Sequence, residues 1–173
     1  MTTASGVGSF AAGVDSRAIV EGSVALCGKV YAKGSYSLAA GGNGTTTEGM
    51  YSAAFGENAK ATGQAAIALG ASVTASGMYS CAIGNGSKAS GTGSLAVGYK
   101  TEVTERYSVA TGYQTKAPNS YAFVTGNNNQ TWNQAQAVFG QYNDYKNKVA
   151  ADKAYLVVGN GSDDASRSNA FVV

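Results

Sequence analysis

The stretch Ser80-Cys-Ala-Ile-Gly84-Asn-Gly-Ser-Lys-Ala-Ser-Gly91 is the best starting point for predicting the fold, because its pattern returns along most of the chain. Its first five residues end in a glycine, and small residues precede that glycine by two and by four places. The same glycine recurs every 14 residues, at Gly56, Gly70, Gly84, Gly98, Gly112, Gly126 and Gly140. A short period held over so many repeats is typical of a solenoid, in which each repeat contacts only its neighbours.

A second glycine divides each repeat into halves. Gly63, Gly77 and Gly91 each lie seven residues after a pentapeptide glycine, and Asn119 and Asn133 take this place in later repeats. Glycine and asparagine are the residues that best tolerate positive φ. We therefore expect a left-handed backbone conformation at this corner. Two corners and two short strands per coil predict an all-β, flat, two-sheeted parallel β-roll.

Composition excludes several classes of protein. The chain has 173 residues, a net charge of +2, 24 Gly and one Pro, and its apolar residues are periodic, which argues against disorder. Its lysines are scattered, so no basic stripe predicts a nucleic-acid partner. No apolar run is long enough to predict a membrane span, and no signal-peptide pattern occupies residues 1–20.

Residues for catalysis or metal binding are scarce. The chain has no His, which removes His-based triads and most zinc sites. Its carboxylates do not pair as in a glycosidase. We predict no enzyme activity and no cofactor. Cys27 and Cys81 are expected to be small buried apolar residues, because coils spaced by about 4.8 Å put them too far apart for a disulfide.

Alternation along the first strand of each coil predicts its two faces. We expect the larger residues, such as Ile67 and Leu69, to fill the roll. The opposite Ser/Ala face would then lie against other chains in a homotrimer, and a monomer with a bland face is the alternative. The predicted trimer interface is Ser52, Ala54, Ala66, Ala68, Ser80, Ala82, Ser94, Ala96, Ser108, Ala110, Val124 and Val138.

Tyrosines recur five places before the pentapeptide glycine, which predicts a ladder along one edge of the roll. They are Tyr36, Tyr51, Tyr79, Tyr107 and Tyr121. One interpretation is a structural ladder that covers strand edges. The other is an aromatic binding surface, since Tyr combines a large contact area with a polar tip. The sequence leaves both open.

The regular repeats predict a roll over residues 1–140 and a different region over residues 141–173. A polar insert at 141–154 is expected to form a projecting loop or one helical turn. The strand at 169–173 is expected to be a further coil, with more sequence to follow in a longer parent protein. Asp163 and Asp164, beside Arg167, predict a surface turn, and a calcium site is the alternative.

The repeat Ser-x-Ala-x-Gly-x-x-Ser/Ala-x-Ala-x-Gly resembles the head repeat of the YadA-type trimeric autotransporter adhesins, as at Ser52–Gly63 and Ser80–Gly91. The segment Val158–Phe171 is similar to segments of phage tail proteins, some of which carry the same head repeats. The resemblance implies a left-handed parallel β-roll, three chains side by side, and binding to a host glycan or matrix protein. This chain has Tyr where the family often has Asn before the Ser.

Together these features predict a non-catalytic, trimeric, extracellular module for surface adhesion or receptor binding, either a bacterial adhesin head or a phage tail fibre domain. A rigid shaft that only spaces a binding tip is the main alternative. An ice-binding solenoid is a remote one, since it would need a regular Thr-x-Thr row on one face.

Overall fold

The computed structural model describes residues 1–145 and 154–173, and the secondary-structure elements among these residues are all β-strands. Successive strands alternate between two sheets. Sheet 1 contains β2 (Phe10–Ala12), β4 (Val24–Cys27), β6 (Leu38–Gly42), β8 (Ala53–Glu57), β10 (Ile67–Ala71), β12 (Cys81–Asn85), β14 (Leu95–Tyr99), β16 (Val109–Tyr113), β18 (Phe123–Asn127), β19 (Ala137–Gln141), β20 (Leu156–Asn160) and β21 (Asn169–Val172). Sheet 2 contains β1 (Thr3–Ala4), β3 (Arg17–Ala18), β5 (Tyr31–Ala32), β7 (Thr46–Thr47), β9 (Lys60–Ala61), β11 (Thr74–Ala75), β13 (Lys88–Ala89), β15 (Glu102–Val103) and β17 (Lys116–Ala117).

Neighbouring strands of each sheet are parallel and in register one coil apart. Ile67 lies opposite Cys81 in sheet 1, and Gly70 lies opposite Gly84. In sheet 2, Thr74 lies opposite Lys88. The chain is therefore a parallel β-solenoid with coils of about 14 residues and two strands per coil, as the sequence predicts. The left-handed sense of the roll and its assembly as a homotrimer stay predictions.

The pentapeptide glycines are required by close contact between coils. Gly70 has a φ of +127°, and a Cβ built on it would lie 1.9 Å from the carbonyl oxygen of Gly84. Gly84 stands in the same relation to Gly98, at 2.0 Å. No side chain fits into such a gap. The 14-residue return of glycine is thus a packing requirement along the roll axis.

The corners differ from the sequence-based expectation. Gly63, Gly77 and Gly91 do not have positive φ, so that prediction is wrong. They are small for a different reason, since a Cβ on Gly63 would lie 2.1 Å from the carbonyl oxygen of Gly77. The left-handed residue of this corner comes two places later, at Ala65 and Tyr79 for example.

The interior of the roll is formed by small side chains from both sheets, so the predicted assignment of the two faces of sheet 1 is wrong. Ala68 has no exposed surface, whereas Ile67 is 41% exposed. Every member of the predicted trimer interface is buried inside the single chain: Ser52, Ala54, Ala66, Ala68, Ser80, Ala82, Ser94, Ala96, Ser108, Ala110, Val124 and Val138. These residues pack with the buried side chains of sheet 2, such as Ala61 and Ala75.

The reversal follows from the size of the coil. A loop of 14 residues with two corners encloses little space, and the side chains it buries are small, such as Ala68 and Ala75. Sheets with larger side chains between them pack about 10 Å apart. Methyl and hydroxyl groups fit between close sheets, and pairs such as Ile67 and Leu69 do not. The larger residues therefore lie on the outside of sheet 1. Ala59, Ala61, Val73 and Ala75 of the second half-coil point inward and are fully buried.

Buried polar side chains bond the glycine carbonyls that the tight turns leave inside. The Ser87 hydroxyl donates to the Gly98 carbonyl at 2.8 Å, and the Asn129 amide donates to the Gly140 carbonyl at 2.7 Å. Ser16 and Thr45 occupy the same place in earlier coils and are equally buried. Because a buried carbonyl without a partner is costly, these polar side chains are retained in the interior, although Val30, Ala59 and Val73 take the same place in other coils.

The C-terminal end departs from the repeat. Strand β20 continues sheet 1 in parallel, with Gly140 opposite Gly159, but β21 returns antiparallel to β20. The expectation of a further coil at 169–173 is therefore wrong, and this end of the sheet is a hairpin. Of the predicted loop or helical turn at 141–154, residues 146–153 lie outside the described residues. The division of the chain at residue 140 stays a prediction.

Candidate functional site

The outer side of sheet 1 carries a continuous strip of apolar side chains. Phe55 is 38% exposed and Phe123 is 39% exposed, and the Phe123 and Phe139 rings lie 5.6 Å apart. We call this strip the apolar face, and its members are Phe10, Val24, Leu26, Leu38, Phe55, Ile67, Leu69, Cys81, Ile83, Leu95, Val97, Val109, Phe123 and Phe139. Contiguous apolar surface of this kind marks a site of protein contact.

The five predicted tyrosines lie at one corner of the roll, just before sheet 1, and all are exposed. Tyr36 stacks on Tyr51 with ring centroids 5.6 Å apart, and Tyr107 stacks on Tyr121 at 5.8 Å. Tyr79 stands between the two pairs, because Ala65 and Gly93 occupy this corner in the coils on either side of it. The predicted ladder is thus two stacked pairs and a single tyrosine. We call these five residues the tyrosine row.

The tyrosine row adopts an unfavourable backbone conformation. Tyr79 has a φ of 58° and Tyr107 a φ of 53°, in the left-handed region that bulky residues seldom occupy. Gly22 and Gly93 show that glycine also occupies this corner. Each tyrosine costs about 1 kcal/mol of backbone strain relative to glycine. Its side chain must provide a compensating contact, either with its neighbours or with a ligand.

A second aromatic pair lies at the opposite edge of sheet 1. Tyr99 and Tyr113 follow Gly98 and Gly112 directly, are partners in the sheet, and stack with ring centroids 5.0 Å apart. The Lys100 ammonium lies 5.1 Å from the Tyr99 centroid. Sequence reasoning did not single out this pair. Their spacing of one coil at the place after the glycine was a signal that could have identified it.

The outer side of sheet 2 is polar and mixed in charge. The row that faces solvent contains Thr46, Lys60, Thr74, Lys88, Glu102 and Lys116. Lys116 pairs with Glu102 at 3.4 Å. Lysine and glutamate alternate with threonine here, whereas an ice-binding surface would need a regular threonine row. This side of the roll therefore gives the ice-binding alternative no support.

Arg167, in the loop between β20 and β21, closes a groove above sheet 2. Its guanidinium carbon lies 4.7 Å from the Tyr145 centroid and 5.5 Å from that of Tyr142. It donates to the Asn128 carbonyl at 2.7 Å and pairs with Asp164. Cation–π contacts of this geometry fix the side chain in place. The arginine ties the C-terminal hairpin to the last coils of the roll.

The predicted surface turn at Asp163 is confirmed. The Asp163 carboxylate accepts hydrogen bonds from the Ser166 backbone N–H at 2.7 Å and from the Ala165 N–H at 2.9 Å. These backbone donors hold the pKa of Asp163 below its usual value. In residues 1–145 and 154–173, no group of three or more His, Cys, Asp and Glu side chains could hold a metal ion.

The cysteines differ from the prediction. Both are free thiols, but Cys27 is exposed rather than buried. Cys27 lies opposite Gly41 in sheet 1 and has a φ of 85°, so it occupies a pentapeptide glycine position. Cys81 belongs to the apolar face, where partial burial raises the pKa of its thiol. Among the described residues there is no helix with the length and apolar character that a membrane span requires.

In-register coils that present an apolar face and exposed tyrosines define a solenoid repeat module. Residues 4–26, 48–72 and 75–101 match the family model of the YadA head domain repeat. The chain therefore carries head repeats of the YadA type, as its resemblance to them predicted. Members of that family are in general trimeric, surface-exposed adhesin modules without enzyme activity. No curated protein matches the chain.

Proposed function

We propose that this chain is a trimeric adhesion module whose three copies pack through the apolar face and bind a host surface with the tyrosine row. The observation that carries the proposal is the apolar face itself. Side chains such as Ile67 and Phe55 lie on the outside of sheet 1 and are 41% and 38% exposed in the single chain. A surface of this kind gains about 25 cal/mol for each Å² that a partner covers.

Three considerations favour a second and third copy of the same chain as that partner. The face runs along sheet 1 from Phe10 to Phe139, so a parallel copy meets it over its whole length. In a closed cyclic assembly, the contact surface of every subunit is covered by a neighbouring subunit. The family is trimeric in general. The interface we propose thus replaces the Ser/Ala face predicted from the sequence.

The tyrosine row is the proposed contact with a host glycan or matrix protein. It lies at the corner beside the apolar face, where packing of three rolls leaves an outward edge. Its exposed rings offer large contact areas with a hydroxyl at the tip. The backbone strain at Tyr36, Tyr51, Tyr79, Tyr107 and Tyr121 indicates that the side chain matters at these places.

This function places the module outside the cell, on a bacterial surface or on a phage tail fibre. The test has two parts. Light scattering on the eluting protein should give three times 17.4 kDa. The trimer should then bind at least one member of a panel of immobilised matrix proteins and glycans. A monomeric mass would contradict the proposal.

Variants separate the tyrosine row from the rest of the surface. Tyr79→Ala with Tyr107→Ala should reduce binding at least tenfold while the trimer stays intact. Tyr155→Ala, at an exposed tyrosine outside the row, is the control. Unchanged binding by the double variant would remove the row from the binding surface.

A rigid shaft is the second candidate function, favoured by the in-register coils along nearly the whole chain. At about 4.8 Å per coil such a roll extends a binding tip away from its anchor. A trimer that binds nothing on the panel would support the shaft.

A further inference from the structure

A groove of about 500 Å³ lies on the outside of sheet 2, near the C-terminal end of the roll. Its floor is formed by Lys88, Glu102 and Lys116 from consecutive strands, and its rim by Lys100 at the corner. Arg167 and its hairpin close one end. A volume of this size falls within the range of small-molecule sites. The groove lies on the opposite sheet from the apolar face, so a trimer built on that face leaves it open.

The charges of the groove do not cancel. Four of the described lining residues are cationic, and two of these have an acidic partner, since Lys116 pairs with Glu102 and Arg167 pairs with Asp164. Lys88 has no ion pair with another residue in the ranges 1–145 and 154–173, and Lys100 lies against the Tyr99 ring. Two ammonium groups on adjacent coils are therefore available to an anionic ligand at one wall.

A buried donor gives an independent indication of a ligand. The Arg167 side chain is only 7% exposed, yet its Nε has no hydrogen-bond acceptor in the described part of the chain. Its two terminal nitrogens are occupied by Asn128, Asn143 and Asp164. A buried N–H without an acceptor is costly, and an acceptor entering the groove beside it would remove that cost.

The remaining lining favours a ligand rich in hydroxyl groups. Gln114, Asn128 and Gln130 supply amide donors and acceptors, and Tyr145 is the only large apolar surface among the lining residues that the structure describes. A peptide with apolar side chains would need pockets for them, which the described lining does not provide. Amides beside an aromatic ring match the alternating hydroxyls and C–H faces of a sugar.

We propose that this groove binds an acidic saccharide, with its carboxylate or sulfate held by Lys88 and Lys100 and its hydroxyls held by the amide row. The inference rests on the proposed adhesion function and names a ligand class for it. The groove is a site separate from the tyrosine row, which lies at the other corner of the coil.

Ligand-observed NMR titration of the whole chain tests the proposal with three probes. Sialyllactose carries a carboxylate, a heparin disaccharide carries sulfate, and lactose is the neutral control. At least one acidic probe should bind ten or more times tighter than lactose. The double variant Lys88→Gln, Lys100→Gln should reduce that affinity at least tenfold. Both side chains are exposed, so the variant should keep the unfolding midpoint of the parent chain.

Lys60→Gln is the matched control, because Lys60 lies two strands before Lys88 in the same row and outside the groove. It should bind the acidic probe as the parent does. Equal weakening by both variants, acidic probes no better than lactose, or tighter binding of an aspartate-rich peptide would each overturn the proposal.

The outcome is distinguishable from failure of the proposed function. Trimer formation and binding by the tyrosine row depend on residues outside the groove. Both can therefore be observed even if the groove binds no acidic probe. If the chain is monomeric and its groove still binds the acidic probe, the proposed saccharide site is supported and the proposed trimer is contradicted.

Discussion

Ile67 and Ala68 are adjacent in β10, and they lie on opposite sides of sheet 1, with Ile67 41% exposed and Ala68 without exposed surface. The larger of the two is the outer one. This arrangement, repeated from coil to coil, makes the interior thin and the outside apolar. It determines how the chain should respond to substitution.

Ala68→Leu should destabilise the roll by about 1–3 kcal/mol, because the added carbons have no room between Ala54 and Ala82. Denaturant unfolding measures the effect. Ala71→Leu adds the same group at the end of the same strand, where Ala71 is partly exposed and lies beside Asn85 outside the apolar face, and it should change the free energy of unfolding by less than about 0.5 kcal/mol. Equal stability of the two variants would contradict the assignment of the faces.

Ile67→Lys should separate the copies without unfolding the single roll, since it puts a charge into the apolar face and leaves the interior untouched. Light scattering should change from three times 17.4 kDa to that mass alone. Thr74→Lys, on the outside of sheet 2, should leave the assembly unchanged. An intact trimer with Lys at position 67 would show that the chains meet elsewhere.

Gly70→Ala should cost roughly 2–4 kcal/mol, because its Cβ would lie 1.9 Å from the Gly84 oxygen at a φ of +127°. Thermal and denaturant unfolding give the value. Gly86→Ala also acts at positive φ, but its nearest neighbour is the flexible Lys100 side chain at 3.3 Å. It should cost about 1 kcal/mol. A similar loss for both would mean that φ, and not the contact between coils, explains the repeat glycine.

Cys27→Gly should stabilise the roll by about 1 kcal/mol, since Cys27 has a φ of 85° where its partner in sheet 1 is Gly41. Cys27→Ala removes the same thiol but keeps the Cβ, and it should bring no gain. The measurement is the unfolding free energy under reducing conditions. A gain from alanine as large as that from glycine would attribute the effect to the thiol.

The hairpin loop at Asp163 should loosen in acid. In the folded chain the Ser166 and Ala165 N–H groups lower the pKa of the Asp163 carboxyl from its reference value of 3.8. The stabilisation that the ionised Asp163 carboxylate gives the folded loop is complete above pH 3.8. It is lost as the pH falls through the lowered pKa of the folded chain. Amide exchange at Ser166 should accelerate in that window. In Asp163→Asn the exchange rate at Ser166 should keep only the pH dependence that amide exchange has in any peptide. A pH profile identical to that of the parent chain would contradict the role of the Asp163 carboxylate.

Much of the fold followed from one period in the sequence. Glycine every 14 residues, at Gly56, Gly70 and Gly84 for example, predicted parallel coils in register, and the half-period predicted two strands in each coil. Each of these features depends on residues within one coil or in two adjacent coils, and the sequence repeats those residues from coil to coil. The tyrosine positions were also predicted, whereas the interruption of their stacking at Ala65 and Gly93 was overlooked although both residues stand in the sequence.

The predicted faces failed because alternation shows that two sides differ without showing which of them is inside. Ala68 and Ile67 alternate equally well in either arrangement. The groove at Lys88 and Lys100 was missed because Arg167 closes it from a distant part of the chain. No sequence spacing connects that arginine to the Asn128 carbonyl to which it donates.

The period, the parallel register and the YadA-type repeat thus follow from the sequence alone, because the same glycine contact joins successive coils from Gly41 to Gly140. The folded chain was needed to show which residues lie inside the roll and where its groove is. The physical reason is the distance between the two sheets. It is set by closure of the whole coil, and it leaves room for Ala82 and excludes Ile83 from the interior.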